Sequence, residues 1–478
     1  RRGWSFKPIW DKGKRMIEDL EVVVVGGGPG GLSAALAAAK AGAQVTLFDA
    51  YSQQGGQYYR QPPERMLDQS NAHQRHGQQL IGQVRAAGVR IVPDTLVASA
   101  SPERKLVCVG PQGTYLAQAR AVIIAAGAYE RPVAFPGWTL PGVLLTGGVQ
   151  ALLYQHVLPG KRVLLAGTGP LQLVVAKKLL DAGAHVVAVL EGAYMLEKAI
   201  LRATAMWGQW GRMIEGGKGI ATMLSHGTPY RMGWGLVRAH GNTQVTGATI
   251  ARLDRNWRPI RGTEREVDCD TIGIGYGFVP FNALSRTAGA QQQWRPDLGG
   301  EVPVRTPYFE TSVEGIYAVG DGAGIGGVYM SEMEGEIAGL HAAAILNHGA
   351  DSAEAQIGRV RARIRAEVRF QRLYSDLFTP GPGAYELAED DTLVCRCEGV
   401  TYGKLRQMAQ SSSGVAQEIK NGARVSMGEC QGRMCGHMAM NALAGLTGKP
   451  VDEIGQFTQR PPVFPLPIGA LAALAEEE

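Results

Sequence analysis

The stretch Val22-Val23-Val24-Val25-Gly26-Gly27-Gly28-Pro29-Gly30-Gly31-Leu32 decides how this chain folds. A run of β-branched residues passes through glycines directly into an Ala-rich helical pattern, which predicts a buried parallel strand feeding a helix. The G-x-G-x-x-G spacing falls on Gly26, Gly28 and Gly31, with Pro29 inside the turn. The first glycine permits the tight turn, the second lets the backbone approach a pyrophosphate, and the third lets helix and strand pack closely. The pyrophosphate would sit on the amides and positive dipole of the helix N-terminus. A second strand, Gln44–Phe48, ends at Asp49, where a carboxylate about twenty residues after the glycines can hold the adenosine ribose.

The same pattern returns after Arg162. Val163-Leu164-Leu165-Ala166-Gly167-Thr168-Gly169-Pro170 opens a second strand–turn–helix unit that closes at Val187–Glu191. Ala-Gly-Ala recurs at 41–43 and 182–184, and each second strand ends in a carboxylate, so this is an internal repeat. Gln172 stands where Gly31 stood, which prevents the same close approach of helix to strand. Gly167, Gly169, Pro170 and Glu191 remain candidates for a nucleotide site, with Glu191 disfavouring a 2′-phosphate; a vestigial fold element is the alternative.

Between and after these units the chain alternates strand and helix patterns. Gln53–Gln61, carrying Gly56, Gln57 and Arg60, reads as a polar loop able to pass a flat ring. A helix is expected around Gln74–Ala87, and strands near Val89–Val92, Lys105–Val109 and Ala121–Gly127, the last ending in Ala126-Gly127. Strand patterns recur at Asp268–Gly277 and Gly315–Gly324; in the latter, Gly320-Asp321 offers a carboxylate to a polyol such as a ribityl chain. A helix follows over Glu334–Leu346. The basic Arg359–Arg372 segment is helical in character, and Thr379-Pro380-Gly381-Pro382-Gly383 breaks the chain before a separate C-terminal domain.

With 478 residues, 45% hydrophobic and 19% charged, the chain is a globular protein of several domains. A net charge of +5, with no basic run interleaved with aromatics, argues against nucleic acid as a partner. The basic start Arg1–Pro8 is not followed by a long apolar segment, which argues against a secretory signal. No stretch reaches about 18 apolar residues, so no transmembrane segment is expected. The expected location is cytoplasmic, or peripheral at the inner membrane.

Four of the six cysteines cluster late: Cys395, Cys397, Cys430 and Cys435. Cys108 and Cys269 stand alone in apolar strands and read as inert core. Clustered thiols in an intracellular chain point to a metal site more than to disulfides. Structural zinc usually takes wider C-x2–4-C pairs, whereas four thiolates also suit a [2Fe–2S] cluster; zinc and a disulfide are the alternatives. Neither nucleotide unit carries a paired redox cysteine motif, which excludes a disulfide reductase. None of the nine histidines sits in a nucleophile or acid–base constellation, so no catalytic residue is assigned. His437, after Cys435-Gly436, reads as a capping or surface residue, with an extra metal ligand as the alternative.

On these residues the chain resembles a flavoprotein of the glutathione-reductase-like class over 21–345, with Gly26–Gly31, Asp49, Gly55-Gly56-Gln57, Ala126-Gly127 and Gly320-Asp321 matching its FAD motifs. Residues 391–451 resemble the bacterioferritin-associated-ferredoxin-like (BFD-like) [2Fe–2S] domain. Together with Gly56-Gln57-Tyr58-Tyr59-Arg60-Gln61 and the Cys-Gln-Gly-Arg-x-Cys-Gly string, the whole is similar to the α (A) subunits of bacterial multi-subunit amine and imino-acid dehydrogenases. That group includes opine oxidases, D-hydroxyproline and L-proline dehydrogenases, and the hydrogen cyanide synthase B subunit.

The resemblance implies an α/β fold with two Rossmann-like domains. Its division is an N-terminal extension at 1–20, an FAD-binding domain at 21–160 and 276–345, and a second nucleotide domain at 161–275. A linker at 346–390, the cluster domain at 391–451 and a tail at 452–478 complete it. The resemblance also implies FAD, a [2Fe–2S] cluster, FMN at a subunit interface in some members, and ATP or NAD at the second site in others. The expected partners are an amino-acid-oxidase-like β subunit that oxidises the substrate and a small ferredoxin-like subunit, in a hetero-oligomer. A stand-alone NADH-dependent reductase and a structural nucleotide-binding scaffold are the competing readings.

Overall fold

The computed structural model describes residues 17–62, 71–194 and 210–475. The Arg1–Pro8 arm and the first residues of the tryptophan- and methionine-bearing stretch after Met206 lie outside them.

The opening valines form β1 (Ile17–Val25) and run into α1 (Pro29–Ala41), as the sequence predicts. Then come β2 (Val45–Phe48), α2 (Ala72–Ala86), β3 (Arg90–Val92), β4 (Leu96–Ala100), β5 (Lys105–Gly110) and β6 (Gly113–Ile124). Helix α2 starts at a reciprocal cap, in which the Asn71 side chain accepts the Gln74 amide and the Gln74 side chain accepts the Asn71 amide. The first sheet has the order β3-β2-β1-β6-β5-β4. Strands β3, β2, β1 and β6 are parallel, while β5 and β4 turn back antiparallel. Val22, Val23 and Val24 are fully buried, which is why this strand is a continuous apolar run rather than an alternating one.

Strand β7 (Ala128–Glu130) carries the chain out of this sheet. The second unit contains β8 (Val143–Leu145), α3 (Thr146–Tyr154), β9 (Arg162–Gly167), α4 (Leu171–Asp181), β10 (His185–Glu191), α5 (Trp210–Ser225) and β11 (Tyr230–Met232). An antiparallel layer of β12 (Trp234–His240), β13 (Gly247–Arg252) and β14 (Arg265–Asp268) precedes β15 (Thr271–Gly275). The second sheet has the order β11-β10-β9-β15-β8 and is parallel throughout. Strand β16 (Phe278–Pro280) pairs antiparallel with β7, so a two-stranded ribbon joins the units.

After α6 (Ala283–Thr287) and the hairpin of β17 (Gln292–Arg295) with β18 (Gly300–Pro303), strand β19 (Ile316–Ala318) re-enters the first sheet beside β6. Helix α7 (Gly327–Ile345) follows and starts well before the expected Glu334. The reason is Asp321, whose carboxylate accepts the Gly326 and Gly327 amides at 3.0 and 2.8 Å and caps the helix from outside its own sequence. Helix α8 (Ala350–Phe378) then leads to β20 (Leu393–Cys395), β21 (Val400–Thr401), α9 (Tyr402–Ser411), α10 (Ala416–Ala423), α11 (Gly436–Thr447), α12 (Val451–Ile454) and α13 (Ile468–Ala475).

Two contacts organise the whole. Helices α1 and α7 meet backbone to backbone: a Cβ on Gly335 would lie 2.1 Å from the Gly30 carbonyl oxygen, and one on Gly339 would lie 2.3 Å from that of Ala34. The C-terminal helices share one hydrophobic core with the second unit, running from Leu164, Leu190 and Ile274 through Trp257 and Tyr385 to Cys395, Ile419 and Leu443. Polar ties reinforce it: Trp138 Nε1 donates to the Leu393 carbonyl at 2.6 Å, and Arg258 forks onto Glu386 at 2.7 and 2.9 Å.

The α1–α7 contact leaves no room for a side chain. Gly335→Val and Gly339→Val should each destabilise the protein by about 1–3 kcal/mol or more, read as a lowered melting temperature. An unchanged melting temperature would show that the two helices can part.

Candidate functional site

The first glycine loop is built for close approach. Gly26 has φ +106° and donates to the Phe48 carbonyl at 2.8 Å. A Cβ on Gly31 would lie 1.8 Å from the Gly26 oxygen, so only glycine lets α1 start there. Gly28 caps α1 without any side-chain hydrogen bond, and Pro29 follows as the first helical residue, so no side chain occupies the helix N-terminus. The Gly55-Gly56 loop lies flat on this turn: the Gly55 amide donates to the Gly27 carbonyl at 2.7 Å, and a Cβ on Gly56 would be 2.9 Å from Gly28 Cα. Gln57 is exposed on that loop, and Arg60 is partly buried with its carbonyl held by Gln74 Nε2 at 3.1 Å.

Asp49 ends β2 beneath the loop and is 5% exposed. Its Oδ1 accepts the Tyr51 amide at 3.1 Å, while Oδ2 is buried without a hydrogen-bond partner. Burial pushes its pKa up to about 6, with the amides of Tyr51 and Gly27 offsetting part of that rise. Asp321, partly buried at the end of the strand that re-enters the first sheet, is likewise pushed up by burial, with the Gly326 and Gly327 amides offsetting part of that rise. Gly322 packs against Gly127, so the Ala126-Gly127 and Gly320-Asp321 ends lie together. Behind them, Glu334 accepts the Gly320 amide at 2.8 Å and pairs with Arg305 at 2.8 Å.

In the second loop Gly167 has φ +142° and Gly169 φ +103°, whereas in the first loop Gly26 has φ +106° but Gly28, the counterpart of Gly169, is extended with φ −78°. Pro170 precedes α4 without a side-chain cap. Glu191 differs from Asp49: its Oε2 accepts the Gly169 amide and its Oε1 the Ala193 amide, both at 2.9 Å.

The C-terminal domain brings all four late cysteines together. Cys395 and Cys435 are buried, Cys430 is partly buried and Cys397 is exposed. The Cys435 thiol hydrogen-bonds to Cys395 and Cys430, and Cys397 to Cys430, linking the sulfurs in a chain. Hydrogen bonding from Cys435 pulls Cys395 down to about 6 and Cys430 to about 5, against the effect of burial. Amides of Ser426 and Glu398 reach Cys395, and those of Met434 and Gly432 reach Cys430. A Cβ on Gly428 would lie 2.3 Å from that of Cys397, so glycine is required for this approach. The sulfurs meet pairwise, and among the described residues no group of three or more His, Cys, Asp or Glu side chains converges as a ready metal-ligand set.

Cys108 and Cys269 are buried and pushed up to about 12 by burial, in keeping with core roles. His437 is not at the surface: it is 8% exposed and stacks on Trp294 at 6.0 Å, because α11 turns inward straight after Cys435. Sequence reasoning missed Glu130 on the inter-unit ribbon. Its Oε2 accepts the Gly147 amide at 2.7 Å, its Oε1 is buried without a partner, and burial pushes it up to about 7. It also missed the cluster in which Tyr59 donates to Glu332 at 2.8 Å and His76 Nε2 lies 3.2 Å from the same oxygen. Nothing local marks either group, because the partners are remote in sequence.

Comparison with known proteins bears on this geometry. The family model described as pyridine nucleotide-disulphide oxidoreductase matches residues 20–344, and that of the sarcosine oxidase A3 domain matches 390–475. The chain is 32% identical over 470 residues to hydrogen cyanide synthase subunit HcnB of Pseudomonas aeruginosa, covering 96% of this chain and 100% of that one. It is 31% identical to the A subunit of opine oxidase from Rhizobium meliloti, covering 95% and 99%. Among solved structures, L-proline dehydrogenase from P. horikoshii superposes with a TM-score of 0.69 at 20% identity, covering 97% of this chain and 82% of that one, a likeness of fold.

Asp49 gives the first loop a pH signature. Burial favours its neutral form, so the ligand-free fold gains stability as pH falls through about 6. A bound ribose needs the carboxylate as acceptor, so the complex loses affinity over the same window. Asp49→Asn should weaken dinucleotide retention at neutral pH by about ten- to a hundredfold and flatten its pH dependence, as measured by dialysis across pH 5–8. Unchanged retention would remove Asp49 from the site.

Proposed function

The chain belongs to the pyridine nucleotide-disulphide oxidoreductase family, together with HcnB and the A subunit of opine oxidase, and on that footing we propose that it is the electron-transferring flavin and iron–sulfur subunit of a hetero-oligomeric dehydrogenase of secondary amines or imino acids. The observation that carries this reading is the pairing, in one chain, of an open dinucleotide loop with a four-thiol domain packed into the same core as the second unit. Full-length similarity to proteins named as subunits of hydrogen cyanide synthase and opine oxidase supports the hetero-oligomer. An opine is a secondary amine, which supports the substrate class.

The residues of the first loop fit FAD. An uncapped helix N-terminus offers amides to a pyrophosphate, the orphaned Asp49 Oδ2 offers an acceptor to a ribose hydroxyl, and Asp321 would offer its second oxygen to a ribityl chain. Gly26, Gly28, Pro29 and Gly31 would form the pyrophosphate cradle. Gly56, Gln57 and Arg60 would line its flank, and Ala126, Gly127 and Gly320 the opposite wall. FAD, when bound, supplies one- and two-electron redox chemistry.

Cys395, Cys397, Cys430 and Cys435 would hold the [2Fe–2S] cluster. Amide donors that reach the Cys395 and Cys430 sulfurs suit thiolate ligands. The chain's own residues then bind, orient and exclude water, while the acid–base chemistry of amine oxidation belongs to the partner subunit.

Two measurements test this. The purified chain alone should reduce an artificial dye with an opine at no measurable rate, and addition of an amino-acid-oxidase-like partner should restore it. Full activity from the chain alone would sink the proposal. Cys395→Ser and Cys397→Ser should remove bound iron and dye reduction while leaving the complex assembled, whereas a wild-type protein that binds zinc and no iron would rule out the cluster.

A further inference from the structure

We propose that the second glycine loop is closed to nucleotides by the protein's own side chains, so that this unit takes neither a pyridine nucleotide nor ATP and serves instead to seat helix α8 and the linker to the C-terminal domain. This goes beyond the assignment of function and rests on the second loop alone.

A dinucleotide loop binds its ligand through free backbone amides and a carboxylate turned toward the ribose. In the first loop the Gly26 amide is taken by the Phe48 carbonyl at 2.8 Å and Asp49 Oδ1 by the Tyr51 amide, but the other carboxylate oxygen, Asp49 Oδ2, has no hydrogen-bond partner. In the second, amides and carboxylate are both spent internally. Gln172, which replaces the third glycine, is 2% exposed. In the amide orientation that its surroundings require, its oxygen accepts the Gly167 and Thr168 amides at 3.2 and 2.6 Å, and its nitrogen donates to the Leu190 carbonyl at 3.3 Å. The Thr168 amide also reaches the Gly275 carbonyl at 2.7 Å. The Gly169 amide donates to Glu191 at 2.9 Å, and the other Glu191 oxygen is taken by Ala193. Three consecutive loop amides are thus satisfied before any ligand arrives, and Glu191, 1% exposed, turns no oxygen toward a ribose. A pyrophosphate would have to break these bonds and leave buried groups unpaired, which costs more than the bonds themselves contribute.

The outer side of the loop is occupied as well. The Tyr374 hydroxyl, delivered by α8, lies 3.2 Å from where a Gly169 Cβ would project. Burial raises its pKa, and the nearby charges of Glu191 and Asp321 add to that rise, which places it between the second loop's carboxylate and the first unit's cleft. Beyond Glu191, where the ribose side would open, Trp257 is packed so tightly on Gly192 that a Cβ there would meet its ring at 2.4 Å. Gly381 and Gly383 of the linker press on that same tryptophan segment. Tyr374, Trp257 and the linker therefore stand around the groove that a nucleotide would need. The pyridine nucleotide implied by the family name does not fit this loop.

The test uses the purified complex with its flavin. Acid release followed by chromatography should yield no adenine nucleotide besides FAD, and equilibrium dialysis against NADH, NADPH or ATP should show no saturable binding into the millimolar range. One equivalent of any such nucleotide, released or bound, would overturn the proposal. The double variant Gln172→Gly/Tyr374→Ala removes the side-chain acceptor from the Gly167 and Thr168 amides and clears the outer face. It should bind ATP or NADH at least about tenfold more tightly than the wild type. If that variant keeps its flavin and melting temperature yet binds no better, closure by these side chains is wrong. If it fails to fold, the wild-type dialysis still decides.

Discussion

Helix α1 meets its neighbours backbone to backbone on the strand side at Gly31 and on the α7 side at Gly30, Gly335 and Gly339. That contact places everything that follows. It fixes an uncapped helix N-terminus directly after the end of β1 and holds it against the Gly55-Gly56 loop. Side chains larger than hydrogen at these positions would push the helix away from its neighbours. Close packing without voids is worth several kcal/mol across such an interface, and here it also shapes the site.

The two glycine loops show how little sequence separates a cradle from a strut. Both keep a positive-φ glycine at the end of the first strand and a carboxylate at the end of the second. One glycine-to-glutamine difference supplies a side-chain amide that reaches back to the loop, and one extra methylene lets Glu191 reach the Gly169 amide, where Asp49 leaves an oxygen free. A polar group buried without a partner is costly, so the unpartnered Asp49 oxygen is a place waiting for a donor, whereas the satisfied Glu191 is part of the framework.

The C-terminal domain is not a loosely tethered module. Its buried residues belong to the same hydrophobic core as β9, β10 and β15, and Trp138, Arg258 and Arg238 tie it to the connecting segment and the antiparallel layer. Its tail reaches the first unit, where the Val463 amide donates to the Ala98 carbonyl at 2.8 Å. The four thiols are thereby held in a fixed relation to both glycine-loop units.

Local pattern was enough for the repeated strand–turn–helix units, the α/β class, the glycine turn and the carboxylates that end β2 and β10, because hydrophobic periodicity and glycine spacing act over a few residues. The clustering of Cys395, Cys397, Cys430 and Cys435 was legible for the same reason. What the sequence could not decide was which polar groups are free. The capping of α7 by Asp321, the burial of His437, the orphaned oxygens of Asp49 and Glu130, and the spent amides around Gln172 all depend on partners brought from elsewhere in the chain. By itself the sequence determined where a nucleotide loop could form; only the tertiary structure decided which of each loop's amides and carboxylate oxygens are already bonded, because hydrogen-bond satisfaction is a property of the packed whole.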